Sequence, residues 1–164
     1  MSSTSPPLTL AALNAMERDA FVAALGPTFE NAPFTSVAAL HAAMLDVVRA
    51  APDDKKLAFF RGHPELAGRE AQAGTMTTES VGEQKSAGLN ALTSTELAEM
   101  QRLNRAYRER HGFPFIIAVR ANTKQQIFEA MRARVAANTE VERNAALAQI
   151  GLITRGRIDA LVKE

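Results

Sequence analysis

The sequence predicts an all-α fold, a single-domain bundle of about six to eight helices. Apolar residues recur at helical spacing in Ala-rich runs along most of the chain, and the alternating β-branched segments that would predict strands are nearly missing. The length of 164 residues is close to that of one domain, and the composition does not shift along the chain. We therefore expect one helical domain over residues 9–164, after a flexible N-terminus over residues 1–8.

The first half of the chain contains helix boundaries that depend on capping residues and breakers. Short helices are expected after Thr9 and over residues 17–25, where a Gly-Pro pair ends the second one. Ser36 can then cap a helix over residues 37–51, which Pro52 closes. The side chains that share the apolar face of this helix are Leu40, Met44, Val47 and Val48.

A loop rich in glycine and proline follows the next helix. Asp53 can cap that helix, which runs through residue 60. Residues 61–75 are punctuated by breakers and predict a loop with one helical turn beginning at Pro64. Helical spacing resumes near Thr77.

One long helix and one extended segment are expected next. Thr93 and Glu96 have the spacing of a capping box, and the helix that they open should end at His111, before Gly112. Residues 113–119 are the only candidate for extended, buried backbone.

Two further capping pairs predict the last two helices. Asn122 with Gln125 opens the first, and Thr139 with Glu142 opens the second. The residues expected on the buried side of the last helix are Leu147, Ile150, Leu152, Ile153 and Leu161.

Charge and cysteine content exclude several classes of protein. Nineteen Lys and Arg balance eighteen Asp and Glu, so we expect no nucleic acid partner. Cysteine is absent, which excludes a disulfide framework, a thiolate nucleophile and a cysteine metal site. The chain shows no signal peptide, membrane span or peroxisomal address, so we expect a cytoplasmic protein without a membrane partner.

Three segments with unusual sequences interrupt the helical pattern. They read Arg-Gly-His-Pro-Glu-Leu-Ala-Gly at 61–68, Ser-Val-Gly-Glu-Gln-Lys-Ser-Ala-Gly-Leu at 80–89 and Phe-Pro-Phe-Ile-Ile-Ala-Val-Arg at 113–120. In order and spacing they resemble the signature stretches of the 2-oxo-4-hydroxy-4-carboxy-5-ureidoimidazoline (OHCU) decarboxylase family. Leu-Asn-Ala-Met at 13–16 and Phe21 resemble the first helix of that family, so the resemblance covers essentially the whole chain.

His63 is the candidate proton-transfer residue of the first segment. Pro64 disfavours helical geometry at His63 and can open a short helix, so the imidazole is expected at a helix N-terminus, which favours its neutral form. The alternative is a loop histidine bonded to backbone; the resemblance implies that His63 is catalytic and that Pro64 contacts substrate. His41 and His111 are expected to be structural, and no spacing suggests a metal site.

The second segment places polar side chains on one helix face. Ser80, Glu83 and Gln84 are three and four residues apart, so they can face a pocket or form a solvated face, and Gly82 and Gly88 beside them favour close approach of a ligand. The resemblance implies that Glu83 is the catalytic carboxylate. It also implies that the substrate contacts Ser80, Val81, Gly82, Glu83 and Gln84.

The third segment is either a core strand or non-helical backbone whose N–H and C=O groups need partners. The resemblance implies that these groups bind the ligand. The residues concerned are Phe115, Ile116, Ile117, Ala118 and Val119.

An arginine is the natural partner for a substrate carboxylate. Arg157 resembles the family's substrate-binding arginine, and Arg120 is the alternative. Three arginines that alternate with glutamates predict a solvated helix face instead, and they are Arg102, Arg105 and Arg108.

The resemblance implies a homodimeric decarboxylase that converts OHCU to (S)-allantoin in urate degradation, with no cofactor and no metal. His63 would act as general acid or base, Glu83 would handle the substrate hydroxyl or orient His63, and Arg157 would place the carboxylate. Two alternatives remain open: a ureide hydrolase that uses the same groups to activate water, and a non-catalytic helical interaction module, which would have no pocket beside His63.

Overall fold

The computed structural model describes residues 36–68, 71 and 73–162, together with residues 12, 15–17, 19 and 20. Contacts divide the chain into two compact units, Met1–Thr35 and Ser36–Glu164. The short helices expected before residue 26 and the flexible terminus expected at residues 1–8 lie almost entirely outside the described residues. The domain boundary expected at residue 9 therefore stays a prediction.

The unit Ser36–Glu164 is built from helices, and within its described residues there is no strand. This confirms the predicted all-α class. The elements in chain order are α1 (Val37–Ala50), α2 (Asp53–Arg61), α3 (Thr78–Ser86), α4 (Ser94–His111), a 3-10 helix (Val119–Ala121), α5 (Lys124–Arg134) and α6 (Thr139–Leu161). No helix among the described residues is long and apolar enough to cross a membrane.

The caps of α1 and α4 are the predicted ones. The Ser36 hydroxyl accepts a hydrogen bond from the Ala39 N–H at 3.1 Å. At α4 the Thr93 hydroxyl accepts from the Glu96 N–H at 3.2 Å, and the Glu96 carboxylate accepts from the Thr93 N–H at 2.8 Å. Gly112 ends α4 with φ +80°, a left-handed conformation that costs glycine little because it has no Cβ.

The prediction that Asp53 caps α2 is wrong. Pro52 occupies the N-cap position and makes no side-chain bond there, while Asp53 is the first helical residue. Its carboxylate lies 2.8 Å from the Lys56 ammonium, an ion pair within the first turn.

The cap of α5 lies one residue beyond the expected Asn122. Thr123 caps the helix and forms a capping box with Gln126. Asn122 is engaged elsewhere, because its side-chain amide donates to the Ala118 carbonyl at 2.8 Å.

The cap of α6 also differs from the prediction. Asn138, one residue before the expected Thr139, accepts from the N–H groups that open the helix. The Thr139 hydroxyl lies 3.0 Å from His111 Nδ1, and Glu142 is buried against Tyr107. Both predicted capping side chains therefore serve tertiary contacts.

The predicted helical turn at Pro64 does not form. One reverse turn closes when the Gly68 N–H donates to the Glu65 carbonyl at 3.2 Å. Ala67 then adopts φ +47°, in the left-handed region, so the chain cannot continue as a right-handed helix.

The core surrounds α4 and the segment that follows it. Its largest fully buried apolar side chains are Tyr107, Phe60, Phe113, Phe115, Met100, Leu103, Ile127, Met131 and Ile150. Leu152 and Leu161 were expected in the core, but both are exposed. Leu152 follows the buried Ile150 by two residues, so it lies about 200° around the helix and faces away from the core. Met44 and Val47 are likewise exposed.

Candidate active site

A cavity of about 170 Å³ lies where the three unusual segments meet. The α2–α3 loop, one face of α3, the segment 113–119 and α6 each contribute to its wall. The lining residues are Gly62, His63, Pro64, Leu66, Thr77, Ser80, Glu83, Gln84, Phe115, Ile116, Ile117, Val119, Ile153 and Arg157. A cavity beside His63 argues against the non-catalytic module.

His63 follows the C-terminal end of α2, so the expectation of a helix N-terminus at this residue is wrong. Its backbone N–H donates to the Phe60 carbonyl at 3.1 Å. Its ring meets the ring of Phe59 edge-on, with 5.6 Å between centroids. Within the described residues the imidazole makes no hydrogen bond, which leaves it available to a ligand in the cavity.

Burial lowers the pKa of His63 below its ordinary value of about 6.5. The nearby positive charge of Arg157 lowers this pKa further, and the negative charge of Glu83 opposes the shift. The imidazole is therefore neutral at neutral pH. The sequence predicted this state, but its cause is desolvation and not a helix dipole.

Glu83 and Arg157 form a bidentate ion pair at the cavity wall. Arg157 Nε and Nη2 donate to the two Glu83 carboxylate oxygens, each at 2.9 Å, and Nη2 also donates to the Ser80 hydroxyl at 3.3 Å. The side chains are 13% and 35% exposed, so the pair faces the cavity while it is partly shielded from water. Among the described residues Glu83 makes no hydrogen bond with His63.

Gln84 uses its amide to hold the loop that follows His63. Its Oε1 accepts from the Ala67 N–H at 2.8 Å, and its Nε2 donates to the Glu65 carbonyl at 3.3 Å. Asn104 of α4 donates to the intervening Leu66 carbonyl at 2.9 Å. Gln84 thus lines the cavity, but its amide already bonds to the backbone of Glu65 and Ala67 and, at 3.2 Å, to the Met76 sulfur.

The other predicted residues of α3 lie away from the cavity. Val81 and Gly82 are exposed and do not line the cavity, since at 100° per residue Val81 lies about 100° and Gly82 about 200° around the helix from Ser80. Arg120, the alternative carboxylate partner, is also exposed and does not line the cavity.

The segment 113–119 is buried, and residues 114–118 form no regular secondary structure. Arg134 Nη1 donates to the Ile116 carbonyl at 3.2 Å, and Gln149 Oε1 accepts from the Ala118 N–H at 2.8 Å. Sequence reasoning missed both side chains, because a polar residue on a helix gives no sign of a partner 18 or 31 positions away.

The remaining histidines have structural contacts, as expected. His41 Nε2 lies 2.9 Å from the Thr154 hydroxyl, between α1 and α6. His111 is buried and lies beside Tyr107. In the part of the chain that the structure describes, no group of three or more His, Asp or Glu side chains could hold a metal ion.

Comparisons with known proteins identify the family of this chain. The family model described as OHCU decarboxylase matches residues 14–159. The 2-oxo-4-hydroxy-4-carboxy-5-ureidoimidazoline decarboxylase of Amia calva is 35% identical over 92% of this chain and 85% of its own length. The protein of that name from Haloferax volcanii is 36% identical, with 92% and 94% covered.

A longer relative contains a similar region. The uric acid degradation bifunctional protein PucL of Bacillus subtilis is 36% identical over 95% of this chain, and the chain spans about a third of that relative's length, 33%.

Two solved structures are also similar. The crystal structure of (S)-allantoin synthase has a TM-score of 0.62 and 27% identity, and the match covers 92% of this chain and 53% of that one. An OHCU decarboxylase crystallised in the presence of (S)-allantoin has a TM-score of 0.64, with 88% and 98% covered; at 18% identity this likeness shows the fold alone.

Proposed function

Because this chain belongs to the OHCU decarboxylase family, we propose that it converts OHCU to (S)-allantoin in urate degradation. The observation that carries the proposal is the cavity in which His63 faces the Glu83–Arg157 pair. This cavity combines the neutral imidazole of His63, which can transfer a proton, with the guanidinium of Arg157, which can orient a carboxylate.

The reaction needs an electron sink, and the substrate itself has one. The carbon that loses carbon dioxide carries a hydroxyl group and adjoins a ring carbon in a C=N bond. When the C–C bond to the carboxylate breaks, its electron pair forms a C=C bond and the C=N pair moves to nitrogen, which takes a proton. The resulting enol gives allantoin when its hydroxyl proton leaves and the neighbouring carbon gains one.

Arg157 can place the departing carboxylate. Its Nε and Nη2 are bonded to Glu83 and Ser80, while Nη1 makes no hydrogen bond within the described residues. Nη1 can therefore donate to a substrate carboxylate, and guanidinium geometry suits that contact.

The Glu83 carboxylate tempers this attraction. An unpaired arginine would strongly stabilise the substrate carboxylate before the reaction. In the transition state the negative charge moves from the carboxylate into the ring, so this stabilisation is lost and the reaction is slowed. Because Glu83 neutralises Arg157, the carboxylate is oriented with little such penalty.

His63 performs the proton transfer. As a neutral imidazole it can accept the enol hydroxyl proton at one nitrogen, and as the resulting imidazolium it can deliver a proton to carbon. Delivery from the single face that His63 occupies sets the (S) configuration. Orientation and proton transfer are the contributions that these side chains make.

An assay with freshly generated 5-hydroxyisourate and its hydrolase tests the proposal. With this protein added, allantoin should appear faster and as the (S) enantiomer, which circular dichroism measures. Racemic product at the spontaneous rate would contradict the decarboxylase assignment. Release of ammonia or urea instead of carbon dioxide would indicate the ureide hydrolase.

The family resemblance further supports a homodimer that acts in the cytoplasm, without a nucleic acid or membrane partner. The near balance of nineteen basic and eighteen acidic residues supports the lack of a nucleic acid partner. Sedimentation equilibrium tests the dimer, and a mass of 17.7 kDa at all concentrations would contradict it.

A further inference from the structure

The segment 113–119, which forms part of the cavity wall, is held by side chains from two helices that do not themselves line the cavity at these positions. Arg134 of α5 binds the Ile116 carbonyl, and Gln149 of α6 binds the Ala118 N–H. These contacts fix two successive peptide groups, the one between residues 116 and 117 and the one between residues 117 and 118.

The planar trans geometry of these peptide groups determines where Ile117 directs its own polar atoms. The C=O and N–H of one trans peptide group point in opposite directions. The Ile117 N–H therefore points away from Arg134, and the Ile117 C=O points away from Gln149. Among the described residues neither group has a hydrogen-bond partner, and Ile117 lines the cavity.

We propose that Gln149 and Arg134 are positioning residues, which hold the Ile117 N–H and C=O toward the ligand. The inference rests on the proposed function, and the ligand chemistry is an amide or urea edge. Such an edge carries an N–H beside a C=O and can pair with the donor and acceptor of Ile117 together.

The surroundings of Arg134 make its contact with Ile116 rigid. Its guanidinium lies 4.5 Å from the centre of the Phe115 ring and 2.9 Å from the carboxylate of Glu142, which is 2% exposed. The Tyr107 hydroxyl donates to the same carboxylate at 2.6 Å. A cationic donor on the Ile116 carbonyl also polarises that peptide group, which makes the Ile117 N–H a stronger donor.

Gln149 provides the sharper test, because removal of Arg134 would leave the buried Glu142 carboxylate without its cation and destabilise the protein. Gln149→Met keeps the side-chain volume and removes the acceptor, whereas Gln149→Glu keeps an acceptor oxygen. Gln125→Met is the matched control, since Gln125 is exposed on α5 and, among the described residues, its side chain bonds only to Glu129.

Binding of (S)-allantoin is measured by calorimetry, together with kcat, KM and Tm. We expect Gln149→Met to weaken allantoin binding and raise KM by about 10-fold, the effect of about one misplaced hydrogen bond. Gln149→Glu should restore most of the allantoin affinity, and Gln125→Met should match the wild type. A Gln149→Met protein with a lowered Tm but unchanged allantoin affinity would show a structural role only and overturn the proposal.

Amide hydrogen exchange tests the same idea without a variant. Saturating (S)-allantoin should slow exchange of the Ile117 amide in the wild-type protein by about 10-fold or more. Exchange at Ile117 that is unchanged while allantoin binds overturns the positioning role alone. A wild-type protein that forms no (S)-allantoin in the coupled assay overturns the proposed function itself.

Discussion

Arg157 and Glu83 lie 74 positions apart in the chain, and the fold joins them through two parallel hydrogen bonds of 2.9 Å. This geometry makes the two residues one unit with no net charge. The way in which Arg157 binds a ligand therefore depends on Glu83, and the effect of substituting either residue can be predicted from the pair.

Arg157→Ala should weaken capture of the carboxylated substrate more than binding of neutral (S)-allantoin. The change removes the cation and leaves the Glu83 carboxylate facing the substrate's negative charge. Loss of one partner of a hydrogen-bonded charge pair typically costs about 2–5 kcal/mol, so kcat/KM should fall by about 30-fold or more. The allantoin Kd should rise by about 10-fold or less; kinetics and calorimetry measure the two effects.

Arg143→Ala is the control on the same helix. Arg143 pairs with Glu140 at 3.4 Å and does not line the cavity, so its loss should leave both measurements near wild type. If Arg157→Ala weakened the binding of substrate and of allantoin equally, Arg157 would not place the carboxylate. Arg120 would then be the candidate for that role.

His63 should titrate below the ordinary histidine pKa, and its neighbours should shift that pKa in opposite directions. Removal of the cation in Arg157→Ala should raise the pKa of His63, and removal of the anion in Glu83→Gln should lower it. Nuclear magnetic resonance of the ring protons, assigned with His63→Asn, measures each value. A His63 pKa that falls in Arg157→Ala would contradict the electrostatic account.

The lowered pKa of His63 also fixes the sign of its effect on stability. Between the folded and unfolded pKa values the unfolded chain binds more protons, so the contribution is complete above about pH 6.5 and is lost as the pH falls through the folded pKa. The pH dependence of the unfolding free energy should be shallower in His63→Asn over this window.

The sequence predicted the features that depend on contacts between residues close together in the chain. The capping box of Thr93 and Glu96 and the end of α4 at His111, before Gly112, involve neighbours in sequence, and both are present as predicted. The spacing of Ser80, Glu83 and Gln84 likewise predicted a shared face, and all three line the cavity.

Longer-range contacts decide the features that sequence could not predict. The turn after Pro64 stops because Ala67 is left-handed, and the hydrogen bond to its N–H comes from Gln84, 17 positions away. The buried Glu142 has the sequence context of a helix-capping glutamate. Its partners Tyr107 and Arg134 come from two other helices, so no local pattern identifies it.

Gln84→Leu should lower both stability and turnover, because it removes the bonds to the Ala67 N–H and the Glu65 carbonyl. The bond to the Ala67 N–H is buried, and one unpaired buried polar group costs about 1–3 kcal/mol, so the unfolding free energy should fall by at least about that amount. Urea unfolding measures this, and the exposed neighbour in Lys85→Leu is the control. Unchanged stability of Gln84→Leu would contradict an anchoring role for the amide.

The single tyrosine of the chain, Tyr107, should resist ionisation. Burial raises its pKa far above the ordinary value of about 10, and its hydrogen bond to Glu142 and the charge of that carboxylate raise it further. Phenolate absorbance at alkaline pH should therefore appear only as the protein unfolds. Because the folded pKa exceeds the unfolded one, this contribution to stability is present below about pH 10 and lost above it.

The absorbance has an unambiguous source, since the chain lacks tryptophan and Tyr107→Phe removes its only phenol. Far-ultraviolet circular dichroism recorded along the same titration reports unfolding. Phenolate absorbance that rises near pH 10 while the helical signal stays constant would contradict the buried bond between Tyr107 and Glu142.

Double-mutant cycles should show that Glu83 acts through Arg157 and not through His63. Glu83 makes both of its side-chain bonds to Arg157, and within the described residues it makes none to His63. Glu83→Gln should therefore cost far less in an Arg157→Ala background than in the wild type, because parts that act as a unit are not additive. His63→Asn alone should lower kcat by about 10²- to 10⁴-fold, the usual contribution of general acid–base catalysis.

In the double variant His63→Asn with Glu83→Gln, the losses of kcat should be closer to additive than those of Glu83→Gln with Arg157→Ala. The reason is that His63 transfers protons while Glu83 controls the Arg157 guanidinium. Circular dichroism of each variant confirms that the fold is intact. Non-additivity between His63 and Glu83, with additivity between Glu83 and Arg157, would reverse the assignment. It would mean that Glu83 turns from Arg157 to His63 when substrate binds, and that the two then share the proton.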